Sequence, residues 1–201
     1  FTFTDGCLDS PFTFIDASSG TPDSYTWDFG TGAAPATDVT NTPPAVTYST
    51  SGTKTVSLTV TEGACSNLMT KSVSVFAMPT ATPVVTDEVC LGDNTGAIVL
   101  NPSSGTAPYS FIWADGPTTE NRAGLSAGGY TVDITDDEGC TFNTSMTVNA
   151  GISIVADFTF TDDCQDSPIT FTDASTGSPS VYSWDFGSGA TPGTDASSTP
   201  P

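Results

Sequence analysis

Apolar side chains recur at every second position through most of this chain. In its first third the alternating groups are Phe1 and Phe3, Phe12 and Phe14, Tyr25-Trp27-Phe29, Val46 and Tyr48, Val56-Leu58-Val60, and Val73 and Val75. A period of two places each group on one face of a strand, so each strand has one face to bury. Between them, Thr31 to Pro44 is rich in Gly, Ala, Pro and Thr and predicts a loop. Ser51-Gly52 and Glu62-Gly63-Ala64-Cys65 predict turns. Residues 1–78 therefore read as a small β-sandwich.

Residues 79–150 carry the same period in a different arrangement. Ala97 to Leu100, Tyr109-Phe111-Trp113, Tyr130-Val132-Ile134 and Met146 with Val148 are the predicted strands. Gly-rich turns at Leu91-Gly92, Leu125 to Gly129 and Asp136 to Cys140 separate them. Short alternating strands between turn signals indicate a second sandwich. The joints are short: Ala77-Met78-Pro79-Thr80 between the first two units, and Ala150-Gly151 before a predicted strand Ile152-Ile154. So few flexible residues predict a semi-rigid string of domains.

The third unit, 151–201, is a partial copy of the first. Residues 158–201 match 1–44 without a gap at about two-thirds identity, an offset of 157 residues. Tyr25-Thr26-Trp27-Asp28-Phe29-Gly30 returns as Tyr182-Ser183-Trp184-Asp185-Phe186-Gly187. A period this long holds whole domains rather than one supersecondary element. Because Phe1 corresponds to Phe158, inside a strand, the expectation is a window on a longer repetitive polypeptide.

Charge narrows the partners. Against 23 acidic residues stand Lys54, Lys71 and Arg122, for a formal net charge of −20. A phosphate backbone is repelled, which excludes nucleic acid and disfavours anionic membrane surfaces. There is no apolar run of 18 residues, so no helical membrane insertion is expected.

The five cysteines bracket the domains. Cys7 and Cys65 flank the first and Cys90 and Cys140 the second, so the expected disulfides are Cys7–Cys65 and Cys90–Cys140. Cys164 copies Cys7, and its partner is expected near position 222. Each loop of roughly 50 to 60 residues would contribute about 4 kcal/mol on the chain-entropy account. Without CxxC pairs or histidine, the set suits an oxidising, extracytoplasmic setting rather than zinc or redox catalysis.

The first unit resembles the polycystic-kidney-disease (PKD) domain, through Tyr25 to Gly30 and the run Val46 to Val60. Gly30-Thr31-Gly32 departs from the family's usual Gly-Asp-Gly. The second unit resembles the SprB repeat, through Cys90 to Ile98, Gly105 to Trp113, Gly124 to Val132 and Thr135 to Cys140. These resemblances imply an all-β chain of tandem immunoglobulin-like β-sandwiches in an elongated array. They also imply a large secreted protein of the bacterial cell surface, of the kind that serves gliding adhesins.

Candidate chemistry is sparse. Trp27, Trp113 and Trp184 could stack on sugars, but their place amid alternating aromatics assigns them to cores. Asp28 and Asp185 point away from that face and are read as acceptors for loop amides. Asp87, Glu88, Asp93, Asp136 and Asp137 cluster near Cys90 and Cys140 and are candidate calcium ligands by their oxygen chemistry. Asp28-Phe29-Gly30 spells a kinase triplet without the glycine loop, lysine and catalytic loop that kinase chemistry requires. Nothing supplies a base for a nucleophile, so no enzyme activity is expected. The expected function is a structural or adhesive repeat segment, a disulfide-stapled stalk of a long extracellular protein or filament. Its expected partners are neighbouring repeats of the same chain, other copies in a filament and surface polysaccharide. The alternative is a polysaccharide-binding accessory module of a secreted protein.

Overall fold

The computed structural model describes residues 1–161 and 168–199. These form two compact units, and all of their regular structure is β. Unit 1 comprises 1–84, 99–121 and 130–146; unit 2 comprises 85–98, 122–129 and the described residues from 147 on.

Unit 1 begins with β1 (Gly6–Cys7), β2 (Ser24–Asp28), β3 (Ala33–Ala34), β4 (Thr37–Asp38), β5 (Thr47–Tyr48), β6 (Gly52–Glu62) and β7 (Cys65–Phe76). A five-stranded sheet in the order β1-β7-β6-β2-β4 forms one layer. Its spine is the long β6–β7 hairpin, paired without a register break from Gly52↔Val75 to Glu62↔Cys65. The run Gly52 to Glu62 alternates valine and leucine with threonine and serine, the β-branched pattern that suits a half-buried pleat. The β1–β7 pairing is parallel and places Cys7 opposite Phe76.

The facing layer is made of shorter pieces. Where the alternation predicts strands at Phe1-Phe3 and Phe12-Phe14, the backbone makes single bridges, Thr2↔Ile15 and Phe12↔Val46. Pro11 and the turn at Asp9 (φ 63°) keep these segments too short for a ladder. Beside them the predicted loop 31–44 contains β3, which pairs with β5, and β4, which pairs with β2.

Between the layers lies an aromatic core. Phe1, Phe12, Phe14, Trp27, Phe29, Val46, Tyr48, Val56, Leu58, Val73 and Val75 are buried in one cluster. Trp27 stacks on Phe29 (centroids 5.8 Å apart, planes 15° apart) and receives the edge of Phe1 at 5.2 Å. Gly30 ends β2 with φ 82°, and a Cβ there would lie 2.7 Å from the Thr55 carbonyl oxygen. No residue with a side chain fits that position without strain.

The same unit holds β8 (Thr80–Ala81), which pairs with Pro102–Ser103. After β9 (Val84–Thr86) and β10 (Gly96–Val99), that partner is β11 (Pro102–Ser103). β12 (Ser110–Trp113), β14 (Gly128–Thr135) and β15 (Thr141–Val148) form a three-stranded sheet around β14, lying mainly in unit 1; β13 (Arg122–Leu125) precedes β14 in the chain. Phe111, Trp113, Val132, Ile134, Met146 and Val148 are its buried residues. The alternation in 109–113 and 130–134 thus gives the strands it predicts.

Unit 2 contains the sheet β13-β10-β9, in which Ile98 and Leu125 are buried. It also contains the copy of the first domain: β16 (Phe158–Phe160) paired with β17 (Phe171–Asp173), and β18 (Trp184–Asp185) paired with β19 (Thr194–Asp195). The predicted strand Ile152-Ile154 is replaced by two bridges, Cys90↔Ile152 and Val155↔Thr176. The copy reproduces the original in detail. Trp184 stacks on Phe186 at 6.1 Å and 13°, as Trp27 does on Phe29. Its indole N–H donates to the Ser197 carbonyl at 2.9 Å, as Trp27 does to Thr40 at 2.9 Å.

Candidate functional site

The site is a cross-link at the joint between the first domain and the unit that follows it. Cys7 and Cys140 form a disulfide, with Cα atoms 5.6 Å apart and 133 residues between them in sequence. This corrects both expected pairings. Cys65 lies at the tip of the β6–β7 hairpin, whereas Cys7 lies beside Phe76 at the opposite end of β7. Eleven strand steps separate those ends by about 35 Å, far beyond the reach of a disulfide. Cys90 cannot bond Cys140, whose sulfur is already taken, and Cys65 and Cys90 are both free and exposed. Cys164 lies outside the described residues.

Each half of the bridge is held by its own turn. On the Cys7 side, Leu8 N donates to Phe76 O at 2.8 Å and Ser10 N to Cys7 O at 3.1 Å. Asp5 accepts from Ser74 N at 2.6 Å and fixes the same edge. On the Cys140 side the organiser is Asp136, a buried carboxylate. Its Oδ1 accepts from Cys140 N (2.8 Å) and Glu138 N (3.1 Å), and its Oδ2 from Thr106 N (2.9 Å). Three amides satisfy a charge that would otherwise be costly to bury. Gly105 makes room for this, since a Cβ there would lie 2.6 Å from Asp136 Oδ2 and 3.1 Å from Pro79 N. The joint is therefore crossed by the chain at Pro79, by the β8–β11 pairing and by the disulfide.

The remaining predicted ligands are also occupied by amides. Asp87 accepts from Asn149 N and Nδ2, and those bonds hold its carboxyl below the usual carboxylate range. Glu88, buried, accepts from Gly92 N and Asn94 N. Asp93 accepts from Cys90 N at 2.9 Å and from Thr95, which lowers its pKa as well. Asp137 contributes its backbone N–H to Thr106 O. Among the described residues no three such side chains come together as a metal-holding group. The candidate calcium set is thus corrected: these acids bind turns.

Trp27 and Trp113 are fully buried, with indole N–H groups donating to Thr40 O and Thr119 O. Neither presents a face for stacking a sugar. Trp184 is partly exposed in its incomplete copy. Asp28 and Asp185 each accept from the following glycine amide, at 2.8 and 2.9 Å. Lys54 is buried, its ammonium donating to Thr50 Oγ1 at 2.8 Å near the Tyr48 ring. Lys71 donates to Phe1 O at 2.6 Å. Two of the chain's three cations are thus bonded to groups of the first domain's own fold.

The PKD domain family matches residues 7–76, and the SprB repeat family matches residues 82–118. The chain carries a PKD domain followed by an SprB repeat. Both are non-catalytic repeat domains typical of extracellular surface proteins, bacterial adhesins among them, and the disulfide agrees with an extracytoplasmic location. No curated protein matches the chain. Among solved structures it is similar to a C-terminal 282-residue fragment of intimin in complex with the intimin-binding domain of the translocated intimin receptor. That match has 14% identity and a TM-score of 0.48, covering 78% of this chain and 67% of the other. It is also similar to the four N-terminal Ig domains of Dscam1 isoform 6.9, with 12% identity and a TM-score of 0.33, covering 73% and 43%. A third similarity is to the amphioxus IgVJ-C2 molecule, with 13% identity and a TM-score of 0.29, covering 72% and 99%.

Where the sequence points to SprB character over nearly all of 79–150, the family match ends at 118. The PKD domain and SprB repeat nevertheless share the staple, since Cys140 lies beyond that match and still closes onto the PKD strand β1. The cross-domain pairing was the functional feature that spacing alone missed. Its signal is the hairpin: Cys65 follows the turn of a long alternating run and must sit at a domain tip.

Proposed function

We propose that the chain is a structural, force-bearing repeat segment of a long secreted protein of the bacterial surface, acting in adhesion as a stalk rather than as an enzyme. The observation that carries this reading is the Cys7–Cys140 bridge, which ties a PKD domain to the unit beyond it instead of closing either domain on itself. A binding module has no need of such a tie. In a stalk, it shields the 133 residues between the cysteines from extension and makes two units respond to load together. On the chain-entropy account a loop of that size also contributes about 5 kcal/mol to stability. Buried tryptophans offer no platform for polysaccharide, so contact with other surfaces falls to the acidic exterior of the array and to neighbouring repeats or other copies.

Single-molecule extension tests this. Pulled from its ends in oxidising buffer, the chain extends without the segment between Cys7 and Cys140. Reduction adds about 450 Å of contour length, at roughly 3.5 Å per residue. Equal lengths in the two conditions would remove the mechanical reading.

A further inference from the structure

The free cysteines acquire a role once the two copies of the PKD domain are compared. In the first copy, Phe1, Phe14, Trp27 and Phe29 are covered by Val46, Tyr48, Val56, Leu58, Val73 and Val75, all from one stretch, 46–75. In the second copy their counterparts Phe158, Phe171, Trp184 and Phe186 line an open cavity of about 400 Å³. Phe158 is 49% exposed where Phe1 is 8% exposed. The open face has the shape of the missing piece: a counterpart of residues 45–77.

The first copy also shows where the tip of that piece falls. Thr21 Oγ1 donates to Glu62 at 2.8 Å, Asp23 N to Thr61 O at 2.7 Å, and Gly63 N to Asp23 Oδ2 at 2.7 Å. A Cβ on Gly20 would lie 2.8 Å from Glu62 Oε2. The tip that bears Cys65 therefore rests on residues 20–23. In the second copy Gly20 becomes Gly177, which abuts the backbone of Ser153 and Ile154. One residue earlier, Ile152 is bridged to Cys90: Ile152 N donates to Val89 O at 3.1 Å, and Leu91 N to Ile152 O at 3.0 Å. A Cβ on Gly151 would lie 2.6 Å from Cys90 N. The exposed thiol of Cys90 thus stands at the end of the second PKD copy where a Cys65 counterpart arrives.

We propose that Cys90 forms a disulfide with the Cys65 counterpart of the PKD domain that follows it, and that Cys65 here serves a preceding SprB unit in the same way. With Cys7–Cys140, this staples both joints of every period. Forming the bond removes two protons and two electrons from the thiols. A disulfide oxidant such as glutathione disulfide accepts them, its S–S bond breaking to give two thiols. The inference rests on the repeat and not on the mechanical reading.

A chain extended after Pro201, which aligns with Pro44, by a copy of residues 45–80 tests it. Carrying Cys65→Ser in the first domain, this chain has one source of cysteine in the tryptic peptide that copies 55–71. After refolding with oxidised and reduced glutathione, alkylation and digestion without reduction, that peptide is expected joined to the peptide 72–122, which contains Cys90. A second variant with Cys90→Ser is expected to fold equally, with the appended cysteine alkylated. An alkylated Cys90 in the folded extended chain overturns the proposal, as does its bonding to Cys164. An appended copy that leaves Trp184 as exposed as before overturns both the occupant and the bond. Because the readout is a covalent map, it can fail while the extension experiment succeeds, and the reverse.

Discussion

Cys7 and Asp136 act on the same bond from opposite domains: Cys7 supplies one sulfur, and Asp136 grips the amide of Cys140, which supplies the other. A carboxylate that composition marks as a metal ligand is instead the anchor of a covalent joint.

Replacing Asp136 tests that relationship. Asp136→Ala leaves three buried amides without their acceptor and is expected to destabilise the chain by about 2 to 4 kcal/mol. It should also slow oxidation of Cys7 and Cys140, because the turn no longer presents Cys140. Urea melts and timed alkylation read the two effects separately, and normal values for both would free Asp136 of this role.

Trp27 is the centre of the first core. Trp27→Ala removes a fully buried indole that touches Phe1, Phe14 and Phe29, and a loss of roughly 3 to 5 kcal/mol is expected. Chemical denaturation checks the value; a loss under 1 kcal/mol would mean the aromatic cluster is not the core.

Tyr48 gives the fold an alkaline limit. Its hydroxyl donates to Phe29 O at 2.9 Å, and burial pushes its pKa from 10 up to about 12. Between those values the unfolded chain releases the proton and the folded one keeps it, so stability falls as pH rises from 10 to about 12. Tyr48→Phe should flatten this part of the pH–stability curve, as measured by thermal melts across that range.

Calcium is not needed to hold the turns. Glu88, Asp93 and Asp136 already accept two or three hydrogen bonds each. The melting midpoint at fixed ionic strength is expected to be the same with calcium and with chelator. A fall of several degrees on chelation would restore a metal to the account.

Strand positions were legible because alternation is a local signal. Tyr25-Trp27-Phe29 and Val56-Leu58-Val60 each declare a buried face without reference to the rest of the chain. The repeat was legible too, and the matching indole bonds of Trp27 and Trp184 show it carried into three dimensions. Disulfide pairing was not, because it depends on which end of a strand meets which neighbour. Cys7 and Cys65 are close to the two borders of one domain in sequence, yet the antiparallel hairpin sends them to opposite poles. The acids were misread for a related reason. Composition shows oxygen ligands, while the amides that use them, such as Thr106 N on Asp136, come from loops 30 residues away.

The most direct measurement is a peptide map of the oxidised 201-residue chain, alkylated and cut by trypsin without reduction. The account predicts the peptide 1–54, holding Cys7, joined to the peptide beginning at Ala123, which holds Cys140, with Cys65 and Cys90 alkylated. Joining of 1–54 to 55–71 through Cys7 and Cys65 would contradict it.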